Sequence, residues 1–168
     1  MVIRRCELLD AARDGDRQAL AELWRTHNAA LLRYLRARRS PSPDDVASQV
    51  WIDVARSIDR FEGDLGDFSR WLFTIAHRRS VDEIRRVVRA TDASVTAIRS
   101  ADRVVGADVE HERLTALDRA IALVSTLPDN QAEAIMLHVV NDLPAADVAA
   151  IMGITQGNVR VLVHRGVT

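Results

Sequence analysis

The stretch from Phe68 to Arg89 constrains the fold of this chain more than any other, because it reads as one helix with two apolar sides. At about 100° per residue, apolar residues recur on one side and again on the opposite side. A helix of this kind is expected to pack between partners rather than lie on a surface, so further helices should surround it. The two sides carry Phe68, Leu72, Ile75 and Ala76, and Phe73, Val81, Ile84 and Val88, respectively.

Between the two apolar sides runs a third face with one aromatic residue, one acid and three arginines. Such a row suits a single nucleic-acid strand, because a ring can stack on bases while guanidinium groups pair with phosphates. A solvated charged face with one amphipathic tryptophan explains the same periodicity. The face consists of Trp71, Arg78, Asp82, Arg85 and Arg89.

The charge of the chain is distributed unevenly. The net charge is −1, which argues against a protein that coats nucleic acid indiscriminately. Residues 1–90 carry 17 arginines and 14 acids, net +3, whereas residues 91–168 carry 6 arginines and 10 acids, net −4. Any contact with DNA should therefore come from local patches. Aromatic residues make up 4% of the chain and there are 4 prolines, which favours helices.

Cysteine and hydropathy patterns point to a cytosolic protein. The single cysteine, Cys6, cannot form an internal disulfide, and no cluster with metal-ligand spacing surrounds it. The chain has no apolar segment of signal-peptide or membrane-spanning length, so we expect no membrane insertion. No motif for a cofactor or a metal is present, and none is expected to bind.

Capping and breaking residues predict three helices before the loop that precedes the central one. Gly15 and the Ser-Pro-Ser-Pro segment at 40–43 interrupt the helical pattern. The predicted helices cover 5–14, Asp16 to about Arg39, with Asp16 as the cap, and Asp44 or Asp45 to about Ile58.

A loop and a linker complete the predicted layout. Residues 61–67 form a compact loop with two glycines, and Asp67 is predicted to cap the central helix. Residues 91–108 are small and polar, which indicates a flexible linker and a domain boundary. A helix should follow from about Val109 to Ser125, and Leu127-Pro128 should open another.

The final segment has the pattern of a helix-turn-helix. A helix from about Ala145 to Met152 is followed by a turn at Gly153-Ile154 and by a second helix that Thr155 caps. Its outer face carries side chains that read base edges and no acid, although a plain helical hairpin remains the alternative. The inward stripe is Val159, Leu162 and Val163, and the outer face and its flanks are Gln156, Gly157, Asn158, Arg160, Val161, His164 and Arg165.

Two blocks of the sequence resemble the extracytoplasmic-function sigma factors of bacterial RNA polymerase. Residues 44–86, from DDVASQVW to DEIRR, look like region 2 of that family, and residues 127–166, from LPDNQAEAI to VHRG, look like region 4. The resemblance implies an all-α fold with two small helical domains, a region 2 bundle and a region 4 helix-turn-helix. The implied parts are 1–90, the flexible linker 91–108 and 109–168.

The resemblance also implies partners and site residues. Region 2 would dock on the clamp helices of core RNA polymerase and capture unpaired bases of the minus-ten element. Region 4 would read the minus-thirty-five element as duplex and touch the polymerase flap, and an anti-sigma factor would mask both regions. The implied polymerase contacts are Asp45, Ser48, Gln49 and Asp53. The implied minus-ten residues are Phe61, Trp71, Arg78, Asp82, Arg85, Arg86 and Arg89. The implied duplex-reading residues are Thr155, Gln156, Gly157, Asn158, Arg160, Val161, His164 and Arg165.

Two other functional classes compete with a sigma factor. A stand-alone helix-turn-helix regulator would bind duplex DNA without polymerase and would not need the Trp71 face. An enzyme would need a catalytic constellation, and no catalytic residue is predicted, because the five histidines are scattered and neither a P-loop nor a nucleophile motif is present. A sigma factor catalyses no covalent step itself, so the resemblance implies that no catalytic constellation is needed.

Overall fold

The structure is a computed structural model, and it describes residues 5–94 and 116–167. Within these ranges every regular element is helical and there is no strand, which confirms the predicted all-α class. The α-helices are α1 (Arg5–Arg13), α2 (Arg17–Ala37), α3 (Pro43–Ser57), α4 (Leu65–Ser94), α5 (Ala116–Val124), α6 (Asp129–Ile135), α7 (Ala145–Met152) and α8 (Gln156–Val167). A 3₁₀ turn at Ile58–Arg60 follows α3, and a π-helical turn at Met136–Val140 continues α6.

The first helices begin and end where the sequence predicts. Gly15 adopts a φ of 85°, which a glycine accepts without strain, and it separates α1 from α2. The carboxylate of Asp16 then accepts hydrogen bonds from the amides of Gln18 at 2.7 Å and Ala19 at 3.3 Å, so the predicted cap is confirmed.

α3 packs on both α2 and α4. Its stripe of Val46, Val50, Val54 and the following Ile58 is buried, as the four-residue spacing predicts. The indole of Trp51 donates to Oδ1 of Asn28 at 3.0 Å and ties α3 to α2. Helices α2 and α3 thus support α4, whose third face carries Trp71 and the arginines.

α4 differs from its prediction at both ends. Asp64, not Asp67, caps the helix, because its Oδ1 accepts from the amides of Gly66 at 2.7 Å and Asp67 at 3.0 Å. The helix continues to Ser94, past the boundary predicted at residue 90. The expected linker and the start of the helix predicted from Val109 fall largely in residues 95–115, outside the described residues.

The two apolar sides of α4 are buried unequally. Phe68, Leu72, Ile75 and Ala76 on the first side are all in the core. On the second side Phe73 is buried, but Val88 is 49% exposed. Within the described residues, the predicted packing on two sides therefore does not extend to Val88, although Val81 and Ile84 are half-buried.

The C-terminal helices pack directly against the N-terminal ones. Met136 and Leu137 belong to the same continuous core as Leu31 and Phe73. A buried polar cluster joins the two parts: Glu133 of α6 contacts Tyr34 of α2, Arg38 directly after α2, and His77 of α4. Two further ion pairs, Arg39 with Asp129 and Arg70 with Asp147, lie at the edge of this contact.

Candidate nucleic-acid interface

Trp71 is displayed on a stack of aromatic rings. Its ring lies 4.9 Å from that of Phe61, with 26° between the planes, which is a stacked arrangement. Phe68 meets both rings edge-on, with centroids 5.8 and 5.9 Å away. Phe61 is 8% exposed and Trp71 is half-buried. Of the two predicted base-contacting rings, the structure therefore places Trp71 at the surface and Phe61 beneath it as a support.

A groove of about 390 Å³ lies beside Trp71, between α3 and α4. Arg78 is exposed at its edge, so an aromatic ring and an exposed cation border the same space. This combination can stack a base and hold its phosphate. The groove is lined by Asp53, Arg56, Ser57, Trp71, Ile75, Arg78 and Arg79.

The floor of this groove is fixed by an ion pair that the sequence did not reveal. Nε and Nη2 of Arg79 each donate to an oxygen of Asp53 at 2.6 Å, the two-point geometry that arginine makes with carboxylates. The hydrogen bond from Arg79 lowers the pKa of Asp53, and the charges of Arg79, Arg56 and Arg78 act in the same direction. Asp53, predicted as a polymerase contact, is thus already engaged within the chain.

The basic part of α4 is open to solvent. Arg78, Arg85, Arg86 and Arg89 are all exposed. Arg85 approaches Asp82 at 4.0 Å, a loose surface pair, and no ion pair is found for Arg78, Arg86 or Arg89 in the described part of the chain. These cations are available to a polyanion, since exposed pairs of this kind contribute little.

The loop between α3 and α4 is stiffened by its own carboxylates. Besides the cap made by Asp64, Oδ2 of Asp67 accepts from the amide of Asp64 at 3.1 Å. Gly63 has a φ of 133°, and a Cβ there would lie 2.6 Å from that of Asp67, so a side chain is excluded. The compact loop predicted for residues 61–67 is thus closed by its own carboxylates.

The predicted polymerase surface lies on the outer face of α3. Asp45, Ser48 and Gln49 are exposed there, with the Ser48 hydroxyl donating to the Asp44 carbonyl at 2.9 Å. Ile52 is 38% exposed on the same helix, an apolar residue that the sequence analysis missed. Its signal was its place outside the buried stripe of α3. Asp45 and Gln49 also line a cleft of about 460 Å³ with Arg86.

The helix-turn-helix is present as predicted. Gly153 turns the chain with a φ of 67°, and the Thr155 hydroxyl accepts from the amide of Asn158 at 3.2 Å at the start of α8. Val159 and Leu162 are buried against the helices behind them. The outer residues Gln156, Gly157, Asn158, Arg160, Val161, His164 and Arg165 are exposed.

Gly157 has no internal reason to be a glycine. A Cβ at this position would meet nothing closer than the Thr155 hydroxyl at 3.9 Å. A glycine inside a helix costs about 1 kcal/mol relative to alanine. The open space beside Gly157 would let a DNA backbone approach the first turn of α8 closely.

Comparisons with known proteins give one consistent result. A family model described as Sigma-70 region 2 matches residues 23–90, and one described as Sigma-70, region 4 matches residues 117–168. The chain is 34% identical over 161 residues to the ECF RNA polymerase sigma factor SigD of Mycobacterium tuberculosis, covering 90% of this chain and 74% of that protein. It is 29% identical over 174 residues to the ECF RNA polymerase sigma factor ShbA of Streptomyces griseus, covering 96% and 90%.

Two solved structures share the fold. The sigma factor RpoE, in complex with the anti-sigma factor NepR from Bartonella quintana, aligns with a TM-score of 0.64 and 21% identity, over 86% of this chain and 91% of that one. CnrH, in complex with the cytosolic domain of CnrY, aligns with a TM-score of 0.62 and 21% identity, over 95% and 89%. Across residues 5–94 and 116–167, no helix is long and apolar enough to cross a bilayer.

Proposed function

The chain belongs to the ECF RNA polymerase sigma factors. We propose that it directs core polymerase to promoters by holding DNA at two surfaces, one for a separated strand and one for intact duplex. Sigma factors are initiation factors rather than enzymes, so every bond is made by the polymerase. The observation that carries the assignment of surfaces is the Trp71 ring, supported from below by Phe61 and flanked by an exposed arginine row.

The first surface takes the separated strand of the minus-ten element. An unpaired base gains stacking on Trp71, worth about 1–3 kcal/mol per base, and this offsets part of the lost pairing. Arg78 borders the groove where that base would enter, and Arg85, Arg86 and Arg89 continue along α4 as contacts for the phosphates. These arginines are exposed before DNA arrives, and the one pair found among them in the described residues, Arg85 with Asp82, is a loose surface contact at 4.0 Å.

The second surface takes intact duplex at the minus-thirty-five element. α8 offers Gln156, Asn158 and Arg160 on its outer face, and side chains of these types form paired hydrogen bonds with adenine and guanine in the major groove. Arg165 at the end of the helix would meet the phosphate backbone. The helix dipole adds a positive N-terminus at Gln156.

The third surface is the outer face of α3, which docks on the polymerase clamp in the cytosol, where the polymerase acts. Asp45, Ser48 and Gln49 supply its polar contacts, and Ile52 adds an apolar one. Asp53 shapes this face indirectly, because both of its oxygens are held by Arg79.

An anti-sigma factor controls this chain. The support is that RpoE of Bartonella quintana and CnrH, which share its fold, were solved in complexes with NepR, an anti-sigma factor, and with the cytosolic domain of CnrY. Such a partner would cover the α3 and α8 surfaces.

Reconstitution with core polymerase tests the function. Co-elution with core, together with transcripts that start at defined sites on fragmented genomic DNA, is the expected result. A chain that neither binds core nor directs initiation at any site is not acting as proposed. Tight, sequence-specific duplex binding without core would instead favour a stand-alone regulator.

A further inference from the structure

Arg13, at the end of α1, holds the loop that precedes α4. Its Nε donates to the carbonyl of Phe61 at 2.8 Å and its Nη2 to the carbonyl of Gly63 at 2.9 Å. Nη1 pairs with Asp10 at 2.6 Å, which fixes the guanidinium from behind. The bond to the Phe61 carbonyl is partly shielded from water, whereas the bonds to Gly63 and Asp10 are exposed.

The same guanidinium also touches the aromatic stack. Its central carbon lies 5.5 Å from the centroid of the Phe61 ring, within the range of a cation–π contact. Phe61 in turn supports Trp71 through the stacked contact at 4.9 Å. Arg13 is therefore linked both to the backbone of the loop and to the ring that faces the groove.

No other side chain from outside the loop and α4 bonds to the backbone of residues 61–67, within the part of the chain that the structure describes. The loop's remaining side-chain bonds come from Asp64 and Asp67 inside it. Asp67 lies in the first turn of α4, so these bonds join the loop to α4 but not to α1. Arg13 supplies the attachment to α1 through the carbonyls of Phe61 and Gly63.

The chemistry of the loop shows why its position matters. Glu62, Asp64 and Asp67 make the loop acidic, so it repels phosphates. Asp64 and Asp67 already accept bonds from the loop's amides, and the exposed Glu62 offers a carboxylate acceptor. Carboxylate acceptors suit the exocyclic amino groups of bases, such as N4 of cytosine. A loop that reads bases in this way must be held at a fixed place beside the stacked base, because hydrogen bonds depend strongly on distance and angle.

We infer that Arg13 is a positioning residue for minus-ten recognition, which holds the acidic loop and the Phe61–Trp71 stack ready before the DNA strand arrives. A loop that is fixed on folding does not have to be ordered on binding, and this raises affinity and discrimination. The inference rests on the proposed function, since it assigns a role within the same base-capturing surface.

The test uses reconstituted holoenzyme on a promoter found with the wild-type protein. The template is opened in advance by mismatches across the minus-ten element, so that strand separation does not limit the rate. Initiation is measured with the native base and with each substituted base, and their ratio gives the discrimination. A variant that lowers the active fraction of protein changes both rates equally and leaves this ratio unchanged.

We expect Arg13→Ala to reduce this ratio about tenfold, because the loop loses both of its hydrogen bonds to α1. Arg13→Lys keeps the charge and the aliphatic stem, but an ammonium group cannot span the two carbonyls. On a logarithmic scale, its discrimination ratio should therefore lie closer to that of Arg13→Ala than to that of the wild type. Arg25→Ala is the matched control, since Arg25 also pairs with an acid three residues earlier, at 2.7 Å, but does not contact the loop. It should leave the ratio unchanged.

The outcomes separate the inference from the function. If the wild-type holoenzyme initiates at no promoter, the proposed function fails and the inference fails with it. If the wild type initiates and Arg13→Ala keeps its discrimination, the inference alone is overturned. Full restoration by Arg13→Lys would also overturn it, since charge without two-point attachment would then suffice.

Discussion

The hydroxyl of Tyr34 donates to Oε1 of Glu133 at 2.5 Å, and this bond joins two helices across 99 positions of sequence. Nδ1 of His77 lies 2.7 Å from the same oxygen, and the guanidinium of Arg38 pairs with it. Glu133 is 4% exposed and Tyr34 is fully buried. One carboxylate oxygen is thus the meeting point of α2, α4 and α6.

This cluster changes the acidity of its members. Burial alone would raise the pKa of Glu133, but the hydrogen bond from His77 and the charge of Arg38 outweigh it, so the pKa is lowered. Burial raises the pKa of Tyr34, and the negative charge of Glu133 adds to the effect. Glu133 is therefore held as an anion and Tyr34 as a neutral donor.

The cluster holds the two parts of the chain in a closed arrangement. We expect simultaneous binding of both promoter elements to open it. The minus-ten and minus-thirty-five elements are about 25 base pairs apart, or about 85 Å of duplex. A compact chain of 168 residues has a radius of gyration of about 15 Å. If α4 and α8 engage the two elements together, the contact between Glu133 and Tyr34 has to break.

The first prediction concerns the stability of this contact. Glu133→Ala leaves Arg38 buried without its partner, and removal of one member of a buried pair costs about 3–5 kcal/mol. The midpoint and slope of urea unfolding measure the loss. Asp129→Ala on the same helix is the control, because its pair with Arg39 is exposed on both sides and should contribute less than about 1 kcal/mol. Equal losses in the two variants would contradict a special role for Glu133.

The second prediction concerns the pH dependence of stability. Because the pKa of Glu133 is lower in the folded chain than its ordinary 4.5, its contribution is complete above that value. It is lost as the pH falls from there through the lowered folded pKa. Unfolding free energies of the wild type and Glu133→Gln, measured from pH 7 to pH 3, should converge at the acidic end. A constant difference would show that the charge of Glu133 is not involved.

The sequence predicts local features of this fold better than its long-range contacts. Asp16 and Gly153 act as a cap and a turn through residues within a few positions of them, so their roles can be read from the sequence. Glu133 sits in an apolar run with no local signal, because its partners lie 56 to 99 positions away. The closed arrangement was therefore not predicted.

The candidate site shows the same division. The spacing of Trp71, Arg78 and Arg85 along one helix indicated a shared face, and the structure places them there. Helical spacing does not reveal what supports a ring from another segment. The support of Trp71 by Phe61 was therefore not predicted. The family resemblance placed Phe61 among the minus-ten residues, and its contact with a base stays a prediction, although its ring lies beneath Trp71.

The third prediction concerns Trp71. Trp71→Ala should weaken capture of a single-stranded minus-ten oligonucleotide by the holoenzyme by about 1–3 kcal/mol, because one stacked base loses its platform. Fluorescence anisotropy of a labelled oligonucleotide measures this. Trp24→Ala is the matched control, since Trp24 is 47% exposed on α2 and lies outside the groove. If Trp24→Ala weakens oligonucleotide binding equally, the groove beside Trp71 is not the base-binding site.

The fourth prediction concerns the exposed arginines in the C-terminal half of α4. Arg85→Ala and Arg89→Ala should each lower the affinity of the holoenzyme for promoter DNA and reduce the magnitude of its logarithmic salt slope by about 0.7–0.9, because one phosphate contact is removed. The measurement is binding between 50 and 300 mM salt, roughly the range in which such slopes are resolved. Arg25→Ala should leave the slope unchanged. A slope that stays constant in the two α4 variants would exclude them as phosphate contacts.

The last prediction concerns the recognition helix. Arg160 is exposed on α8 and, across residues 116–167, is found in no ion pair, so its guanidinium is free to bond to a guanine edge. Arg160→Ala should cost about 1–3 kcal/mol at one base pair of the minus-thirty-five element and leave substitutions at the other positions as costly as before. Initiation by the holoenzyme on a set of single-base variants of that element measures the cost position by position. Arg119→Ala on α5 provides an exposed arginine of the same half as a control. If Arg160→Ala weakens all variants equally, the residue contacts phosphate rather than a base, because a phosphate contact carries no sequence information.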